Sequence, residues 1–136
     1  MEQEARENLA SEAEYLRNLL MSINSQVERL ARAMEEVSST LNVLKDRESI
    51  ISNDSRITIG SGIYMRVKVE EMNNLLVPIG SDLFKTDSAE NVQKSLESNM
   101  EDLKASLATL EARRKEAETR YETILTVLQR SPQPGN

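Results

Sequence analysis

From Leu9 to Leu44 an apolar residue recurs at alternating spacings of four and three. The positions are Leu9, Ala13, Leu16, Leu20, Ile23, Val27, Leu30, Met34, Val37, Leu41 and Leu44, with no polar interruption. A 3.5-residue period sustained over five heptads is the seam of a coiled coil. Ala13, Leu20, Val27, Met34 and Leu41 take the a positions. Leu9, Leu16, Ile23, Leu30, Val37 and Leu44 take the d positions. The residues between them are mostly Glu, Arg, Ser and Asn, which suit a solvated face. Residues 1–59 contain neither glycine nor proline, the strongest helix breakers. The spacing predicts a helix over about residues 3–48.

A second stripe mirrors the first. Leu96, Met100, Leu103, Leu107, Leu110, Arg114, Ala117, Tyr121, Ile124 and Leu128 again run four, three, four, three, and Arg114 is the one charged member. Asp87-Ser88-Ala89-Glu90 reads as the start, with Asp87 as cap and Glu90 completing a capping box. Ser131-Pro132 reads as the stop, because the residue before proline disfavours the α region. The helix is expected over 88–130. At ~1.5 Å per residue the two helices span roughly 69 and 64 Å. Neither can bury its stripe alone, so the expected arrangement is an antiparallel coiled-coil hairpin. Arg114 then stands opposite about residues 24–28, with Glu28 as its expected partner and a register-setting role. Tyr121 is expected to keep its ring in the seam and its hydroxyl in water.

Between the stripes the period changes to two. Ile57 and Ile59 alternate with Thr58, and Ile63, Met65, Val67 and Val69 alternate with Tyr64, Arg66 and Lys68. β-branched residues with this alternation read as half-buried strands. The segment also repeats after 20 residues: Ile57-Thr58-Ile59-Gly60-Ser61-Gly62-Ile63-Tyr64 aligns with Val77-Pro78-Ile79-Gly80-Ser81-Asp82-Leu83-Phe84. Each copy reads as a β-hairpin with a three-residue loop and a glycine in the left-handed region. Strands are expected near 56–60, 62–69, 75–80 and 82–86. Four short strands leave open edges and too little cover for a stable isolated sheet. They are expected to be completed by hairpins of other chains. The organisation is therefore α+β: a coiled-coil helix over 1–48, two hairpins for oligomerisation over 49–87, a second coiled-coil helix over 88–130, and a tail over 131–136. Assembly should rest on Ile57, Ile59, Ile63, Met65, Val67, Val69, Val77, Ile79, Leu83 and Phe84, around a β-structure shared between chains.

The order of long helix, two hairpins and long helix resembles the α-class subunit of prefoldin, archaeal type. The resemblance is carried by Ile57-Thr58-Ile59-Gly60-Ser61-Gly62-Ile63-Tyr64 and by Leu76-Val77-Pro78-Ile79-Gly80-Ser81. It implies an ATP-independent co-chaperone with two α-class and four β-class subunits, and that the shared β-structure is an intersubunit double β-barrel. In that family the tips of the coiled coils hold unfolded polypeptides and deliver them to a group II chaperonin. A client surface needs apolar residues that the seam does not hide. Off the seams and toward the free end of the hairpin lie Leu19, Met21, Leu125 and Val127; Val43 and Val92 lie nearer the hairpins. With the adjacent seam residues Leu16, Leu20, Tyr121 and Leu128, these four are the expected client-binding set. Methionine adds an adaptable contact suited to varied partners.

Composition narrows the rest. The chain holds 17 Lys+Arg against 23 Asp+Glu, a formal charge of −6, and no histidine, cysteine or tryptophan. The usual imidazole base, thiolate nucleophile and soft metal ligands are missing, so no enzyme activity, metal or cofactor is expected. Acidity argues against nucleic acid or an anionic membrane as a partner. No apolar run approaches a membrane span, and the glutamate-rich start is unlike a signal peptide, so a cytoplasmic protein is expected. Gly60-Ser61-Gly62 lacks the Lys-Ser/Thr of a phosphate loop, and Asn53-Asp54-Ser55 lacks a calcium-loop pattern. Glu35-Glu36, Glu70-Glu71 and Glu101-Asp102 read as surface pairs. The rival reading is a structural coiled-coil scaffold or filament subunit that binds no client.

Overall fold

A computed structural model describes residues 1–130. The expected tail over 131–136 and the Ser131-Pro132 stop lie outside the described residues. The element order is α1 (Glu2–Lys45), α2 (Arg47–Ser52), β1 (Asp54–Gly60), β2 (Ile63–Lys68), β3 (Leu75–Gly80), β4 (Leu83–Asp87) and α3 (Ala89–Arg130). The contacts divide into two units: Met1–Ala33 with Leu103–Asn136, and Met34–Asp102.

In the first unit the two helices run antiparallel. Arg6 Nη2 donates to the Leu128 carbonyl at 3.0 Å, and Arg120 donates from Nε and Nη2 to the two Glu12 carboxylate oxygens at 2.8 and 2.9 Å. Ala13, Leu16, Ala117 and Ile124 form a buried cluster, with Leu9, Leu19, Leu20, Tyr121 and Leu128 packed against it. Ile124 is 1% exposed. Ile23 and Leu110 are buried as well. Glu12 and Arg120 each precede an a position (Ala13 and Tyr121), which is where facing g positions meet in an antiparallel pair and fix orientation. Arg114 lies half-buried in the seam, as its spacing requires. Its partner is Asn24, whose Oδ1 accepts from Nη1 at 3.4 Å, rather than the expected Glu28.

In the second unit α1 stops three residues before the expected end. Its last backbone bond runs from Asp46 N to the Asn42 carbonyl, and a short α2 then begins with Ser49 N and Ile50 N donating to the Asp46 carbonyl. Asp46 is a poor helix former, and the Arg47 guanidinium supplies a substitute donor. Its Nη1 reaches the Leu44 carbonyl at 2.8 Å and Gln93 Oε1 on α3 at 2.7 Å. Leu41 and Leu44 are buried here. At the start of α3 the cap is Ser88, not Asp87: Asn91 N donates to Ser88 Oγ at 3.1 Å. Asp87 instead accepts from Ser88 N and Asn91 Nδ2 through Oδ1, and Glu90 pairs with Lys94 at 3.3 Å. Ala89 is buried, and its N–H donates to the Met72 carbonyl at 2.9 Å, which ties the loop between the hairpins to α3.

The strands form two separate antiparallel hairpins, β1–β2 and β3–β4. Each has two residues at its tip rather than the expected three. Ser61 and Gly62 have φ of 55° and 75°, and Ser81 and Asp82 have φ of 50° and 60°. Positive φ at both central residues is the type I′ pattern, whose twist matches that of the flanking strands. The residue that sequence reading assigned to the loop is absorbed by a bulge. The register shifts between Thr58 and Gly60, and identically between Pro78 and Gly80, with Gly60 at φ 112° and Gly80 at φ 108°. The 20-residue repeat is thus a repeat of backbone geometry. Pro78 pairs with Phe84 in a two-stranded sheet, where every strand is an edge and a missing donor is tolerated.

Candidate functional site

The hairpins carry the largest concentration of uncovered apolar surface among the described residues. Ile57, Ile59, Ile63, Tyr64, Met65, Leu76, Ile79, Leu83 and Phe84 are all between 47% and 70% exposed. A protein does not leave that much aliphatic and aromatic surface on two-stranded sheets unless something covers it. Of the ten residues expected to carry assembly, seven are exposed, and Val67, Val69 and Val77 are half-buried. Sequence reading left out Leu76, which is exposed on the face that carries Phe84.

The register sorts the first hairpin into two unlike faces. Ile57 lies opposite Met65 and Ser55 opposite Val67, which makes one face apolar. On the other, Asp54 lies opposite Lys68, Arg56 opposite Arg66, and Thr58 opposite Tyr64. In the second hairpin both faces hold apolar groups. Leu75 and Val77 oppose Asp87 and Lys85 on one, and Leu76 and Pro78 oppose Thr86 and Phe84 on the other. Lys85 and Asp87 are 3.7 Å apart. The Asp87 carboxyl is held below its ordinary range, first by the Asn91 side-chain hydrogen bond, then by the Ser88 N–H and Lys85.

The residues expected to touch clients fall in the first unit, in unequal settings. Leu16 is buried, and Leu19, Leu20, Tyr121 and Leu128 are packed against the same cluster. Leu125 is half-buried. Met21 (62% exposed) and Val127 (43%) stand open, and so does Tyr15 (65%), which sequence reading passed over because it belongs to neither seam nor aliphatic set. With Arg6 level with Leu128 and Glu12 level with Arg120, Leu125 and Val127 sit beside residues 6–12. Leu19 and Met21 lie roughly 15 Å further along α1 at ~1.5 Å per residue. The open side chains are therefore distributed along the unit. The Glu12 carboxyl is held below its ordinary value, chiefly by the Arg120 hydrogen bonds, and Arg120 is raised by the same contact.

This order of long helix, two hairpins and long helix is matched by known proteins. The prefoldin-subunit family profile covers residues 3–133. The chain belongs to the prefoldin family. Relatives named prefoldin subunit alpha place it in the α class. That of Thermoplasma acidophilum is 32% identical over 117 residues, 86% of this chain and 90% of the relative. That of Picrophilus torridus is 38% identical over 101 residues, 74% of this chain and 72% of the relative. Among solved structures, a filamentous PFD from Methanocaldococcus jannaschii has the same fold, with a TM-score of 0.68 at 18% identity over 85% of this chain and 97% of that one. As a prefoldin, the chain is a chaperone-type subunit that assembles with other prefoldin subunits. Among the described residues no helix is long and apolar enough to cross a membrane.

Proposed function

We propose that this α-class prefoldin is a subunit of a cytoplasmic, ATP-independent holdase rather than an enzyme. It completes its hairpins with those of β-class subunits, two α to four β, and the joined hairpins close into a β-barrel. The observation that carries this is the uncovered apolar surface of both hairpins, with every strand an edge. Ile57, Ile59, Ile63, Met65, Val67, Val69, Val77, Ile79, Leu83 and Phe84 carry the contact, joined by Leu76. Unfolded chains are held by many weak apolar contacts along the first unit and passed to a group II chaperonin. Tyr15, Met21 and Val127 are open to a client as they stand. Leu19, Leu125 and the seam residues Leu16, Leu20, Tyr121 and Leu128 become available as the helix ends separate.

Met21→Ser with Val127→Ser is the informative test, because neither side chain supports the packed cluster. Suppression of aggregation of a denatured client should fall several-fold, with the mass of the complex and its helicity unchanged. Equal suppression would reject these contacts. The rival reading, a scaffold or filament of this chain alone, is separated by native mass with and without a β-class subunit. Open-ended growth without the partner, and no protection of clients, would favour it.

A further inference from the structure

The polar face of the first hairpin breaks a rule of sheet design. Arg56 and Arg66 are direct cross-strand partners. Opposed residues in an antiparallel pair hold their Cβ atoms about 5 Å apart, and like charges there repel. A guanidinium cannot shed its charge to relieve this. Arg56 lies over the Tyr64 ring, 5.5 Å from its centroid. The Arg66 side chain makes no hydrogen bond or ion pair among the described residues. No carboxylate among the described residues bridges the pair, although the chain is acidic overall, with a charge of −6.

We propose that the Arg56–Arg66–Tyr64 face binds an acidic polypeptide segment. Two adjacent guanidinium forks can each take a carboxylate through two parallel hydrogen bonds, and a strand or loop bearing neighbouring Asp or Glu residues matches their spacing. Tyr64 orients the Arg56 fork from beneath. The surroundings disfavour a nucleic acid. Asp54 and its cross-strand partner Lys68 share the face with no net charge between them, Glu70 and Glu71 follow β2, and one tyrosine offers no run of stacking platforms. Two isolated forks suit one or two carboxylates, not a continuous line of phosphates. The site stays open in the assembly because the opposite face, with Ile57, Met65 and Val67, is the one turned to neighbouring subunits. In that respect the inference rests on the assembly reading.

The test uses the full chain assembled with a β-class subunit. A fluorescein-labelled hexaglutamate peptide is titrated by anisotropy, and light scattering on the same sample reports the mass of the complex. Saturable binding is expected, about fivefold weaker when salt rises from 50 to 300 mM, and at least tenfold weaker in Arg56→Gln/Arg66→Gln. Arg66→Gln alone removes no side-chain hydrogen bond or ion pair among the described residues and should still weaken binding severalfold. Removing the repulsion should leave the melting temperature unchanged or higher. Undiminished binding in the double variant would overturn the proposal, as would a lowered melting temperature, which would make the arginines structural. Equal or tighter binding of a uridine dodecamer would also overturn it. A wrong complex mass in the unaltered protein would instead count against the assembly reading.

Discussion

Ile63 and Leu83 occupy equivalent places in the two hairpins, each paired with the glycine that precedes its turn. They are 56% and 61% exposed, so replacing both with alanine removes little that the isolated chain uses. Burying an aliphatic side chain completely stabilises by about 1.5–3 kcal/mol. With just over half of each side chain still uncovered, assembly gains about 0.9–1.8 kcal/mol at each position, and alanine retains about a third of that. The double variant should therefore lose about 1–2.5 kcal/mol per subunit, or roughly 5- to 70-fold in subunit affinity. Dilution of complexes formed with a β-class subunit, followed by mass photometry, reads this as a shift of the dissociation midpoint. Thermal melting of the chain alone should move by no more than its slight loss of strand propensity. An unshifted midpoint, with melting unchanged, would mean that these faces are not the subunit contact.

Ile124→Ala should cost about 2–5 kcal/mol in urea unfolding followed by far-UV circular dichroism, because the side chain is 1% exposed, whereas Met21→Ala should stay within about 0.5 kcal/mol. Gly62→Ala meets no atom within 4 Å, so its cost is confined to backbone strain at φ 75°, about 1 kcal/mol. Amide exchange should quicken about fivefold in β1–β2 and not in β3–β4; equal change in both hairpins would contradict the local origin. Glu12 and Asp87 are both depressed in the folded chain. Each contributes stability that is complete above its ordinary value, 4.5 or 3.8, and is lost as pH falls through the lower folded value. Glu12→Gln should therefore melt lower than the parent at pH 7, and the gap should narrow toward pH 3. A constant gap would show that the Arg120 pair is not responsible.

The heptads were the most legible part of this chain. All the seam positions of both helices are buried or half-buried, including the charged Arg114, because a period of 3.5 leaves a long helix one face to hide. The hairpins were legible through the 20-residue repeat, and their strand limits fell within about two residues of expectation. What escaped was decided by single hydrogen bonds. The break at Asp46 depends on Arg47 reaching both Leu44 and Gln93, and no spacing announces a guanidinium's target. Ser88 takes the cap from Asp87 by one residue, a choice between two good capping types. The Glu12–Arg120 pair was available in principle, since opposite charges precede an a position on each helix. Tyr15 was missed because a tyrosine between seam positions reads as surface.

The contacts that clasp the first unit join residues far apart in the chain: Arg6 with Leu128 are separated by 122 positions, and Glu12 with Arg120 by 108. Both hairpins, by contrast, close locally and within microseconds. On a ribosome adding about 5–20 residues per second, α3 needs roughly 2–8 s to emerge after β4 is complete. Throughout that interval the stripe from Leu9 to Leu44 lacks α3 as its mate, while both hairpins have all their residues. A protein of this architecture thus begins life as a nascent chain with the exposed greasy stripe of an unfinished fold.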